Sequence, residues 1–121
     1  PADYWNSMGE KAKISFVNGV YAATATIKSY HKRQVRDQYL RYPGWIQPYY
    51  IERFYDILGE QISTKVGHNL KIITGHMDAL YSNYDNRKIP IVHAIRIVSV
   101  DRDGEREKAN LLLLKAQKKY E

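Results

Sequence analysis

From His76 to Ala94 the chain reads HMDALYSNYDNRKIPIVHA, and this run constrains the fold more than any other. Leu70, Ile73, Met77 and Leu80 lead into it at helical spacing, with Ile72 and Tyr81 beside them, which is the stripe an amphipathic helix buries. A polar turn interrupts the stripe and Pro90 restarts the pattern, because a proline in the first turn of a helix gives up an N–H that has no partner there anyway. Ile91, Ala94, Ile95 and Val98 then recur at helical intervals. The β-branched content and the alternation of Ile95 and Ile97 in IRIVSV also suit a strand. Residues 91–100 therefore stay open between the two, with Pro90 and the neighbouring helices favouring helix.

The same spacing organises the rest of the chain. Ser7-Met8-Gly9-Glu10 fits a capping box, with Trp5 just upstream to pack on the first turn. A helix is expected from there to about Tyr30, burying Ile14, Val17, Tyr21 and Ala25, with Phe16, Val20 and Ala23 widening the stripe. Gly19 inside that helix weakens it by about 1 kcal/mol, so a close helix crossing is the expected reason for it. From Lys28 to Arg41 the helix continues as a basic stripe. Tyr42-Pro43-Gly44-Trp45 reads as a chain reversal, since Pro presets one dihedral and Gly accepts the positive φ that follows. Tyr49 to Leu58 is a short amphipathic helix with Tyr50, Ile51, Phe54, Tyr55 and Leu58 on one side and Gly59 as its stop, expected to lie over the core as a lid. A polar link follows over Glu60 to Thr64. Asp101-Arg102-Asp103-Gly104 makes a turn, and Glu105 to Tyr120 reads as a final helix with Lys115, Lys118 and Lys119 at the end its dipole favours. Its block Leu111 to Leu114 is apolar around more of the circumference than one core contact needs.

These elements predict an all-α fold, a single domain over residues 1–121 built as a bundle of four to five helices with a Tyr/Trp-rich connecting segment. The 14.2 kDa mass suits one core. Tyrosine stands out, with 11 copies against two Phe and two Trp. Such rings bury a body while keeping a hydroxyl wet, which suits a contact surface as well as the rim of a core. A net charge of +6 permits contact with nucleic acid, acidic lipid or acidic protein. The absence of cysteine excludes disulfides, thiolate nucleophiles, iron–sulfur ligation and Cys-based zinc sites. No run approaches the roughly 18 apolar residues of a membrane span, so the expectation is a soluble chain. Its start at Pro1-Ala2-Asp3 matches what removal of a signal peptide leaves, and export to the periplasm is the expected address, with the cytoplasm as the alternative.

The pattern from Met77 to Ala94, with Trp5 and Met8 and with Phe16 and Gly19 near the start, resembles small exported bacterial helical proteins of unassigned function. That resemblance implies a helical domain of the cell envelope, with Asn86 capping the inter-helix turn and Ile89 plugging it. The turn is also similar to a degenerate EF-hand. Aligned on Ile89, it puts Ser82, Tyr84, Asn86 and His93 where ligands belong, so calcium is not expected and Asp78, Asp85 and Asn86 read as turn caps.

Chemistry is hard to find. His31, His68, His76 and His93 include no pair one helical turn apart, and a zinc site would have to be assembled across helices from His76, Asp78 and His93. No nucleophile elbow, Walker loop or dinucleotide fingerprint is present, and Asp101 and Asp103 sit in a charged turn where nothing raises a carboxyl pKa toward neutrality. The expectation is a non-catalytic protein without cofactor or metal. It would be an interaction protein, a small accessory subunit or assembly factor of a larger cell-envelope complex, gripping a partner or a second copy through Trp45, Tyr49, Tyr50, Phe54, Tyr55, Leu111 and Leu114. The alternative is a basic nucleic-acid binder using Lys28, Lys32, Arg33, Arg36 and Arg41, whose affinity would fall steeply with salt.

Overall fold

Ile95, Ile97, Val98 and Val100 all lie on one helix and all are buried, which explains why this stretch is ambiguous in sequence. The computed structural model describes residues 1–60 and 69–121. Its helices are α1 (Ala2–Ser7), α2 (Glu10–Arg41), α3 (Tyr49–Glu60), α4 (Leu70–Ser82), α5 (Ile91–Arg102) and α6 (Arg106–Lys119), with one 3-10 turn at Tyr84–Asn86. No strand occurs among the described residues. The IRIVSV stretch is helical, and α5 is packed by α3, α4 and α6. A helix covered on most sides needs apolar residues around most of its circumference, so its sequence loses the one-sided stripe. Pro90 precedes it with φ −56°, and its carbonyl accepts the Ala94 N–H at 3.0 Å.

Trp5, Val17, Tyr21, Ile73, Met77, Ile89, Ala94 and Ile95 belong to one hydrophobic core, to which α1, α2, α4, α5 and α6 all contribute. α1 is separate from α2, a departure from the single helix start expected at Ser7. Ser7 does not form a capping box: its hydroxyl donates to the Tyr4 carbonyl at 2.7 Å and closes α1, while Met8 is extended and Gly9 precedes α2 without a side-chain cap. The physical reason is Trp5, which is wholly buried and turns the chain so that its ring enters the core. The Ala2 N–H donates to the Arg87 carbonyl at 3.0 Å, tying this end to the turn after α4.

That turn closes on its own side chains. Asn83 caps the 3-10 turn by accepting the Asp85 N–H at 2.9 Å, as Asn69 at the other end of α4 caps that helix by accepting the Ile72 N–H at 3.3 Å. Asn86 is buried, donating to the Leu80 carbonyl at 2.8 Å and accepting from Gln117 of α6 at 2.7 Å. Ile89 is fully buried, and its carbonyl accepts the Tyr81 hydroxyl at 2.6 Å. Burial pushes the Tyr81 phenol well above its ordinary value. Asn86 and Ile89 thus cap and plug the turn. Asp85 is the residue capped, and Asp78 lies within α4, engaged elsewhere.

In α2 only Val17, Tyr21 and Thr24 are buried, a narrower face than the sequence stripe predicts, and Ala23 and Ala25 are exposed. A Cβ on Gly19 would meet nothing within 4 Å, so this glycine is not a close crossing point. Gly59 does not end α3, which runs to Glu60. The polar link after it, from residue 61, and His68 fall within residues 61–68, outside the described residues. No helix among the described residues is long and apolar enough to cross a membrane.

Candidate functional site

The α2–α3 hairpin is built by a local turn. Trp45 N–H donates to the Tyr42 carbonyl at 3.0 Å across Pro43 and Gly44, and Gly44 has φ +88°. This is the Pro-then-positive-φ arrangement of a type II turn, which favours Gly at its third position. The Pro48 carbonyl then accepts the Ile51 N–H at 3.1 Å and α3 returns along α2.

Aromatic contacts hold the two helices together. The His31 ring lies 4.5 Å from Phe54 and 5.3 Å from Tyr55, whose hydroxyl is 3.1 Å from His31 Nδ1. Lys32 Nζ sits over the Tyr55 ring at 5.5 Å, and Tyr39 meets Trp45 edge-on at 4.9 Å. Desolvation raises the Tyr55 phenol above its ordinary pKa. Phe54 and Tyr55, half-buried, therefore serve the hairpin itself, and Trp45 is half-buried at its turn. Tyr49 and Tyr50 are exposed at 79% and 68%.

Leu111 and Leu114 are exposed on α6, whereas Leu112 and Leu113 turn toward the core. Leu114 borders a cleft of roughly 580 Å³ with Tyr84, Arg87, Gln117, Lys118 and Tyr120. The Arg87 guanidinium stacks on Tyr84 at 3.7 Å. None of the hairpin aromatics lines this cleft, so the expected contact residues fall on two surfaces.

The basic candidates all lie on α2. Lys32, Arg33 and Arg36 share a shallow groove with Ser29. Lys28 and Lys32 also border a second depression with Arg53 and Lys108, but Asp56, Asp103 and Glu105 lie among them. Arg41 is exposed at the end of α2.

Histidines and acids are dispersed. His76 faces a groove between α4, α5 and α6 with Leu80 and Asp101, and His93 meets Tyr120 edge-on at 5.7 Å. Asp78 accepts from Trp5 Nε1 at 2.8 Å and from Lys13 Nζ at 2.7 Å. Among the described residues no group of three or more His, Asp or Glu gathers closely enough to hold a metal ion.

Leu40, Tyr42 and Ile46, near Tyr49 and Tyr50 in sequence, are exposed as well, although they are not among the contact residues expected from residue type and spacing. The available signal was the lack of any acidic residue between Asp37 and Glu52. No family model matches the chain, and neither the curated proteins nor the solved structures include a significant match.

Proposed function

We propose that this protein is a non-catalytic, exported interaction protein, a small accessory subunit or assembly factor of a larger cell-envelope complex, and that the α2–α3 hairpin is its docking element. The observation that carries the reading is the concentration of exposed apolar and aromatic residues there: Leu40, Tyr42, Ile46, Tyr49 and Tyr50. Large rings concentrate binding energy because they remove much area from water at small loss of side-chain freedom. Leu111 and Leu114 on α6 provide a second, separate contact surface, for a protein partner or for a second copy.

The test is isolation of the native protein under mild conditions, with measurement of the mass and composition of what it travels with. A stoichiometric larger complex supports the reading, and elution near 14.2 kDa counts against it. Leu111→Ala with Leu114→Ala, both exposed, should loosen the complex without unfolding the protein, since exposed substitutions change stability by about 0.5 kcal/mol or less. Phe54→Ala is a poorer probe, because it removes a ring that joins the hairpin to His31.

The groove shared by Lys32, Arg33 and Arg36 favours a second reading, a nucleic-acid contact. It requires affinity that falls steeply as salt is raised, and salt-independent or absent binding to duplex and single strands removes it. The acids beside Lys28 weigh against it.

A further inference from the structure

The tip of the hairpin combines three properties. Between Asp37 and Glu52 there is no acidic residue. Within that interval Ile46 is 85% exposed and Leu40 72%, with Tyr42, Tyr49 and Tyr50 exposed around them. Behind it along α2 stand Lys32, Arg33 and Arg36, and Arg41 is exposed within it. Resting on the reading of the hairpin as the docking element, we propose that the surface it docks to is a lipid bilayer bearing anionic headgroups, with the tip seated in the headgroup layer.

No residue of α2 beyond Thr24 is buried, and past Lys32, which still borders a depression with Lys108, the helix runs on to Arg41 for about 13 Å at its ordinary rise. Leu40 and Ile46 crown the end of this projection. A convex apolar end requires a matching socket in a folded protein, whereas a fluid bilayer opens around it.

Tyr and Trp settle at the level where acyl chain gives way to headgroup, the ring body in the apolar layer and the hydroxyl or N–H in the wet one. Tyr39, Tyr42, Trp45, Tyr49 and Tyr50 supply such rings on either side of Ile46 in the chain, Tyr39 and Trp45 in contact with each other.

An acid-free tip backed by cations is drawn to anionic headgroups and keeps its charges at the surface while the apolar residues enter. Nucleic acid would use the same cations but offers no apolar medium for Ile46 and Leu40.

The protein carries its own reporter. Of its two tryptophans, Trp5 is wholly buried in the core and Trp45 lies at the tip, so a change of emission on adding vesicles comes from Trp45. The purified protein is mixed with vesicles of phosphatidylcholine alone and of phosphatidylcholine with phosphatidylglycerol, and binding is read by co-sedimentation and by emission wavelength. The expected result is binding to the anionic vesicles, a blue shift, and weakening as salt is raised. Ile46→Asp should reduce affinity about tenfold or more, with circular dichroism and thermal midpoint unchanged. Arg33→Gln with Arg36→Gln should reduce the salt-sensitive part of binding.

Absence of binding to either vesicle, or equal binding by Ile46→Asp, overturns the proposal. If vesicles are ignored while Ile46→Asp releases the protein from a larger protein complex, the tip belongs to a protein partner, which overturns the lipid assignment and leaves the docking role standing. Vesicle binding by a protein that travels with no complex has the reverse meaning: the lipid contact holds and the subunit reading falls.

Discussion

Trp5 Nε1 donates a 2.8 Å hydrogen bond to Asp78 Oδ1, joining α1 to α4 across 73 positions of sequence. The same oxygen receives Lys13 Nζ at 2.7 Å, and the Lys13 ammonium lies over the Trp5 ring at 5.4 Å. One carboxylate therefore ties together α1, the start of α2 and α4. Asp78→Ala leaves the indole N–H of a buried ring without an acceptor and is expected to lower stability by about 1–3 kcal/mol in urea unfolding. Asp78→Asn keeps an acceptor and loses only the ion pair, so a smaller loss is expected. Equal losses for the two would assign the effect to the pair with Lys13.

Asn86 and Gln117 should behave as a unit. The Gln117 amide donates to Asn86 Oδ1 at 2.7 Å, and Asn86 Nδ2 in turn holds the Leu80 carbonyl at 2.8 Å. Asn86→Ala removes both bonds at a buried site and is expected to destabilise by about 1–3 kcal/mol. A double-mutant cycle with Gln117→Ala should give a coupling of about 0.5–3 kcal/mol, and strict additivity would show that the bond does not contribute.

Two glycines should respond with opposite signs. Gly19 lies inside α2 with open space where a Cβ would be, so Gly19→Ala should stabilise the protein by up to about 1 kcal/mol. Gly44 has equally open space but φ +88°, where a side chain is strained, and Gly44→Ala should destabilise by about 1–2 kcal/mol. Thermal midpoints of the two variants decide the matter.

His93 sets a pH dependence. Its pKa is lowered from 6.5, first by burial and then by the charges of Lys119 and Arg96. A group that binds its proton less tightly when folded lets the unfolded chain take the proton first, so the protonated side favours unfolding. Stability should therefore rise with pH through the window below 6.5 and level off above it. Urea midpoints measured across that window should show the slope, and His93→Gln should flatten it.

Much of the helical layout is legible in the sequence because its causes are local. The Pro90 restart, the Gly104 turn with φ +92° and the reversal at Pro43-Gly44 each depend on dihedral preferences of one or two residues. The stripe of Ile73 and Met77 depends on a repeat that falls within a single helix. What required the tertiary structure is every choice among equivalent local options. Ser7 could have capped α2, and instead closes α1, because burying Trp5 in the shared core is worth more than one cap bond. Residues 91–100 could have been a strand, and are helical, because α3, α4 and α6 surround them and α5 can be apolar on most sides. The aromatic set likewise divides only in three dimensions: Phe54 and Tyr55 are turned to His31, while Tyr49, Tyr50 and Ile46 are left exposed. Spacing along the chain reports what a helix presents. Which of those faces meets another helix, and which is left exposed, depends on contacts between residues far apart in sequence, as Trp5 and Asp78 are.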